Sequence, residues 1–483
     1  MISKRDFLAT AGAGLALAAL PKWVLAATNR QTLKMPPLLD ATQTGRFELQ
    51  AGEAEVNFWG RKPTRTWGFN QPYLGPTLRL RNSGSVQATI KNNLNEEISV
   101  HWHGLIIPGN VDGGPHQPVA AKGVWTPVLP VEQMPATIWY HSHIHGKTAP
   151  QVYRGLAGVI HLTDGQDDAR GLPSDYGVDD LTLVLQDRRF DRRGRMIYDP
   201  NMPDSMMGFA GNVMMVNGQI SPVARVPRGL VRLRLLNASN ARVLTLSMDE
   251  GRPLHLVGTD SGLLKAPVAL KTLVLAPAER AEVLVDFSNA GNGLLVTGPN
   301  PNTGMMGGGM MGGRRRNSGL EILPFIVDES LPVRISALPG QIGGSEPDMV
   351  SEGAPVRHFS LEMGMGMGGM FRRGGRFSIN GKPFRMNRLN QTVKKDVTER
   401  WVITGQMMMH PFHVHGVAFQ VLSENGRPPQ AQNRGWKDTV LVQGQAEILL
   451  RFVHAASPEI PYMYHCHILE HEDGGMMGQF SVS

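Results

Sequence analysis

Short runs of alternating apolar and polar residues, separated by turns bearing glycine and proline, recur along most of the chain and predict strands rather than helices. Thr77 to Arg81 and Val86 to Lys91 show the pattern between Phe47 and Leu162, and Leu181 to Gln186, Leu230 to Leu236 and Ala281 to Phe287 continue it from Asp179 to Val327. The stretch from Leu331 to Pro355 is rich in Pro, Gly and Ser and has little periodicity, which marks a linker. A further β-rich stretch then runs to the C-terminus. With 483 residues, 56 of them Gly and 34 Pro, the chain has room for about three domains of roughly 150 residues each. The organisation read from this pattern is all-β, with domains over 27–165, 170–330 and 356–483 and a linker over 331–355.

Residues 1–26 follow a different pattern. Ser3, Lys4, Arg5, Asp6, Phe7 and Leu8 precede an Ala/Leu/Gly run to Leu20, and Val24, Leu25 and Ala26 suit cleavage after Ala26. This is the pattern of an export signal. It resembles the twin-arginine type, with Lys4 where the first Arg normally stands, and implies a periplasmic protein. The apolar run is short and ends at Pro21 and Lys22, and no later segment approaches a membrane span.

Charge adds little. The formal net charge is +7, and cleavage after Ala26 removes three cations and one anion, leaving about +5. Arg314 to Arg316 and Arg372, Arg373 and Arg376 hold much of the excess in Gly-rich surroundings without interleaved aromatics, which argues against nucleic-acid binding.

The chemistry concentrates in histidine pairs. His101-Trp-His103-Gly and His141-Ser-His143 each put two imidazoles on one face of a strand. His410-Pro-Phe-His413-Val-His415-Gly and His465-Cys466-His467 follow in the third domain. The middle domain carries only His255. Cys466, the one cysteine, has no intramolecular disulfide partner. With His471, one further His and the weaker Met476 it matches the ligand set of a blue-copper centre. On a strand, Cys466 faces one metal while His465 and His467 face something behind it.

The outer domains also read as two copies of one unit. His101-Trp-His103-Gly matches His413-Val-His415-Gly, and Trp139-Tyr-His141-Ser-His143 matches Met463-Tyr-His465-Cys-His467. Ile98, Ser142, Lys147 and Val152 stand where the second copy has His410, Cys466, His471 and Met476, so only the third domain holds a blue-copper set. The eight shared histidines would meet between the two domains.

These four motifs resemble those of multicopper oxidases, most closely the periplasmic cuprous oxidases of copper efflux, with further similarity through Leu422 to Gly426, Gly435 to Val440 and Leu469 to Met477. The resemblance implies three cupredoxin-like Greek-key β-sandwiches in tandem and four copper ions. His410, Cys466, His471 and Met476 would hold the type 1 copper, and His101 and His413 the type 2 copper. His103, His141 and His467 would hold one type 3 copper, and His143, His415 and His465 the other. Asp112 and Glu472 resemble the family's carboxylates that orient bound water and relay protons. Of the six remaining histidines, His145 is the strongest candidate for a hydrogen bonder behind the ligands.

Thioethers select Cu(I), and methionines cluster at Met305, Met306, Met310 and Met311, at Met363, Met365, Met367 and Met370, and at Met407 to Met409. Met363 and Met408 resemble two substrate-copper ligands of the cuprous oxidases. Gln406 replaces an expected Asp, a second Asp is missing from Gly366 to Gly369, and Glu362 is the nearby carboxylate that could substitute. The expectation is a monomeric oxidase that couples oxidation of Cu(I) to reduction of O2 to water, for copper tolerance. The alternatives are a laccase-like oxidase of small phenols or Mn(II), and a copper-free relative serving cell division by binding partners.

Overall fold

The computed structural model describes residues 30–289, 291–304, 319–364 and 377–483. The export signal, Met305 to Met311, Met365, Met367, Met370 and the two arginine clusters lie outside the described residues. Among these, no helix is long and apolar enough to cross a membrane.

Alternation places the strands. Thr77–Arg81 buries Leu78 and Leu80 and turns Arg79 and Arg81 away from the core, each buried leucine contributing about 1.5–3 kcal/mol. That strand lies in a sheet ordered Leu38–Asp40, Thr77–Arg81, Ala157–Thr163, Ala136–His141. The facing sheet is ordered Thr64–Phe69, Arg46–Val56, Ser83–Asn92, Val124–Trp125, with Val128–Glu132 also paired to Ser83–Asn92. Leu49, Ile90, Leu129, Ile138, Ile160 and Trp102 fill the space between them.

The second domain stacks a sheet built on Asp180–Phe190, Leu230–Asn237 and Arg280–Asp286 against a five-stranded one containing Leu320–Val327 and Leu244–Met248. Its central strands bury charge as well as apolar surface. Arg234 pairs with Asp180 at 2.7 Å and with Glu282 at 3.3 Å, and Arg232 pairs with Glu282. Thr137 of the first domain donates to Glu282 at 2.6 Å, so this paired cluster also joins two domains.

The third domain is organised on the 17-residue strand Thr398–Val414, which pairs with Val356–Met363, Tyr462–Cys466 and Thr439–Arg451. Its register with Thr439–Arg451 breaks between Gly405 and His410, and Met407 there has φ +73°. This bulge re-aims the end of the strand. Asn302 of the second domain holds it, accepting from the Met409 amide at 2.9 Å.

Candidate metal centre

Register sets the two sites back to back. Phe412 lies opposite Cys466 and His413 opposite His465. Cys466 therefore points into the third-domain core, and its neighbours face the other way. Cys466 Sγ lies 3.5 Å from His410 Nδ1 and 3.7 Å from His471 Nδ1, and Met476 is buried in the same core with its carbonyl bonded to the Cys466 amide at 3.1 Å. The short helix α1, Leu469–Asp473, carries His471. Hydrogen bonds behind the rings fix which nitrogen faces the sulfur. His410 Nε2 is turned toward the Gln406 carbonyl at 3.4 Å and His471 Nε2 toward the Met206 carbonyl at 3.0 Å.

The other eight histidines converge between the first and third domains. Nitrogens of His143, His415 and His465 lie within 4.8 Å of one another, as do those of His101, His413 and His415 and those of His101, His103 and His141. The His467 ring lies 5.2 Å from His103 and 5.4 Å from His141. Carbonyls hold the backs of four rings: His101 Nδ1 meets the Asp112 carbonyl at 3.0 Å, His141 the Ser142 carbonyl at 2.9 Å, His413 the Asp438 carbonyl at 2.8 Å and His465 the Cys466 carbonyl at 3.1 Å. The Asp112 carboxylate takes His415 Nδ1 at 2.7 Å. Gly113 follows at φ +82°, where any side chain would collide with the Val100 carbonyl, so the turn that aims Asp112 requires glycine there.

His101 Nε2, His103 Nδ1, His141 Nε2, His413 Nε2 and both nitrogens of His467 are buried without a hydrogen-bond partner. Burying that many bare polar atoms is costly unless something binds them. Burial, the largest cause in each case, drives His103, His141, His413, His415 and His467 far below the ordinary imidazole value, His143 and His471 to about 3, and His410 to about 4. Neutral imidazole is the ligating form. Burial also pushes the Cys466 thiol up, so the thiolate would be stabilised by a bound metal rather than by neighbouring protein charge. The donor set fits copper. Copper bound there would supply a one-electron exchange between Cu(I) and Cu(II).

Glu472 is buried with its oxygens 3.4 Å from His143 Nδ1 and 3.2 Å from His465 Nδ1. His145 is exposed and packs edge-on to Phe384. It makes no hydrogen bond among the described residues, so the expected supporting role is not met.

Several supporting residues escaped the sequence reading. Glu470, beside His471, accepts from Asn240 Nδ2 at 2.9 Å, the Phe209 amide at 3.0 Å and Tyr198 Oη at 3.1 Å, all from the second domain. Asp473 accepts the Thr148 and Ala149 amides at 3.0 and 2.9 Å, at the start of a first-domain helix. Helix α1 thus touches both metal sites while its carboxylates reach the two other domains. Asp438 lies 3.2 Å from His103 Nε2 and takes Arg280 of the second domain, whose Nε donates to the Thr137 carbonyl of the first. Gly104, at φ +92°, leaves room for that pair. The one signal for Asp438 was Lys437-Asp438 at the edge of an apolar strand.

Of the candidate substrate-copper residues, the two methionines lie at one core and the carboxylate on the other side of its strand. Met363 packs toward the third-domain core, where Met408 is 2% exposed. Glu362, the adjacent strand residue, turns to the opposite side and accepts from Ser378 Oγ at 3.2 Å.

Family models described as multicopper oxidase match residues 50–167 and 358–483. The chain belongs to the multicopper oxidase family, with its cupredoxin-like three-domain fold, and membership implies copper binding. The chain is 38% identical over 491 residues to the Cell division protein FtsP of Yersinia pestis, covering 99% of this chain and 98% of that one. It is 37% identical over 483 residues to the protein of the same name from Xenorhabdus nematophila, covering 100% and 99%. Among solved structures it resembles the laccase-like multicopper oxidase CueO of an Ochrobactrum species at 40% identity and a TM-score of 0.85, covering 93% of this chain and 100% of that one.

The full-length relatives overturn the expected cuprous oxidase of copper efflux and, with it, the assignment as a copper-dependent oxidase of Cu(I), phenols or Mn(II). They carry a cell-division name. Glu362 turns away from Met363 and Met408, so the carboxylate does not join the two thioethers.

Proposed function

We propose that this chain is a cell-division protein of the multicopper oxidase family, exported to the periplasm, that holds copper and acts by binding partners. The observation that carries the reading is its full-length similarity to proteins named for cell division, at 36–38% identity. It departs from the copper-free alternative on one point, since the ligand set is complete. Four copper ions are proposed: one on His410, Cys466, His471 and Met476, and three among His101, His103, His141, His143, His413, His415, His465 and His467, with Asp112 and Glu472 orienting the ligands.

Copper would join elements from different domains. The eight histidines come from the first and third, and helix α1 is tied to the first and second through Asp473 and Glu470. Filling the sites therefore favours one interdomain arrangement, because a ligand that binds only the folded form stabilises it. A surface assembled from several domains is then presented in one geometry.

The test is a strain lacking the chain, scored for cell length and septum spacing, alongside oxygen uptake by the copper-loaded protein given Cu(I) or a phenol. Filamentation cured by the wild-type chain is the expected result. Normal division, together with rapid oxygen uptake, would contradict the proposal.

A further inference from the structure

Two hairpin tips meet far from the histidines in sequence. One, residues 57–63, joins Arg46–Val56 to Thr64–Phe69 in the first domain, and the other, residues 191–195, joins Asp180–Phe190 to Met196–Ile197 in the second. They are bonded together: the Lys62 amide donates to the Arg193 carbonyl at 3.3 Å, Arg61 Nη1 to the Arg192 carbonyl at 3.4 Å, and the Met196 amide to Thr64 Oγ1 at 2.8 Å. Asn57 closes the first tip by accepting the Arg61 amide at 2.9 Å.

This surface concentrates cations. Arg61, Lys62, Arg65, Arg192, Arg193 and Arg195 are all exposed. Asp191, the one acid within the tips, spends its carboxylate on the Arg193 and Arg195 amides and on Arg195 Nε, which lowers its pKa. Glu53 lies 3.9 Å from Arg65. Arg61, Lys62, Arg192 and Arg193 have no carboxylate within ion-pair distance among the described residues. Trp59 stands beside them, 45% exposed, with its ring edge-on to Phe190.

We infer that these joined tips form a docking surface for an anionic lipid bilayer. Four unpaired cations complement phosphate headgroups, and an exposed indole is the side chain that settles at the boundary between headgroup and acyl chain. An acidic polypeptide would also meet the cations, but an indole beside a row of unpaired cations at two joined loop tips matches the layering of a bilayer surface, charge outside and apolar just beneath. The surface involves no copper ligand and goes beyond the division reading, to which it adds a place of action.

The test is cosedimentation of the mature chain with phosphatidylcholine vesicles and with vesicles containing phosphatidylglycerol, at low and high salt. Binding to the anionic vesicles, weakened by salt, is expected. At about fivefold per cation, the R61A/K62A/R192A/R193A variant should bind about 600-fold more weakly. Trp59→Ala should lower affinity while keeping the salt dependence. All these side chains are exposed, so an unchanged melting temperature establishes that the variants fold. Equal binding to both vesicle types, no binding to either, or undiminished binding by the variants overturns the inference. So does binding to polyglutamate without binding to vesicles, which would assign the surface to an acidic protein.

Discussion

Replacing Glu470 with alanine should loosen the helix that links the two metal sites. The carboxylate is 8% exposed and satisfies three donors, Asn240 Nδ2, the Phe209 amide and Tyr198 Oη. Removing it orphans the Phe209 amide and Tyr198 Oη and leaves Asn240 Nδ2 only the Ala149 carbonyl at 3.3 Å, and each lost acceptor costs about 1–3 kcal/mol, so the loss should be about 3–6 kcal/mol. At about 2.1 cal/mol/K per residue the unfolding entropy of a chain this long is on the order of 1 kcal/mol/K. The copper-free protein should therefore melt about 3–6 °C lower, if it unfolds as one cooperative unit. His471 is the next residue, so the blue absorption of the loaded variant should also shift or weaken. Glu470→Gln keeps the shape and one acceptor oxygen and should lose less on both measures. Differential scanning calorimetry and visible titration with Cu(II) measure the two effects. A Glu470→Ala protein with wild-type melting and wild-type colour would refute the role given to this helix.

Other perturbations have equally definite outcomes. Cys466→Ser should remove the blue absorption while leaving the circular dichroism spectrum unchanged, because serine nearly matches the buried thiol in shape. Asp438→Ala should cost about 2–4 kcal/mol by removing the nearer of the two buried carboxylates beside Arg280, leaving only Asp260 at 3.7 Å, read as a lower denaturation midpoint. The copper-free protein should also be acid-sensitive. The folded-state pKa values of His143, His410 and His471 lie at about 3, 4 and 3, below the unfolded value, so the stability they contribute is present above about pH 6.5 and is lost as pH falls toward 3. By about pH 5.5 each should have lost about 1.4 kcal/mol. Thermal melts of the copper-free protein across that range check this, and a flat profile would contradict it.

The clustering of the histidines and Cys466 was legible because this chemistry is confined to few residue types at short, fixed spacings. His101 with His103, and His465 with Cys466 and His467, need only the two-residue period of a strand to declare which face each side chain takes. The strands themselves were legible from the same period, as in Thr77–Arg81. The supports were not legible, because their partners lie far off in sequence. Glu470 meets Phe209 across 261 residues and His103 meets Asp438 across 335, and nothing local in Leu469–Asp473 says which domain each carboxylate will reach. Function was misread for another reason. A ligand set reports what a site can bind, and one fold with one set of ligands can serve different ends. Met363 and Met408 were grouped by resemblance and Glu362 added for its nearness in sequence, which hides the alternation that separates Glu362 from Met363.

The most direct measurement is the cell length of a strain whose only copy of this chain is Cys466→Ser, compared with the deletion and with wild type. A binding role with copper as a structural resident requires this variant, which keeps the eight-histidine cluster and the tips of both hairpins, to restore normal septation. Filaments as long as those of the deletion, from a variant shown to be folded, exported and still holding copper at the eight histidines that join the first and third domains, would mean that electron transfer through Cys466 is needed, contradicting the binding role.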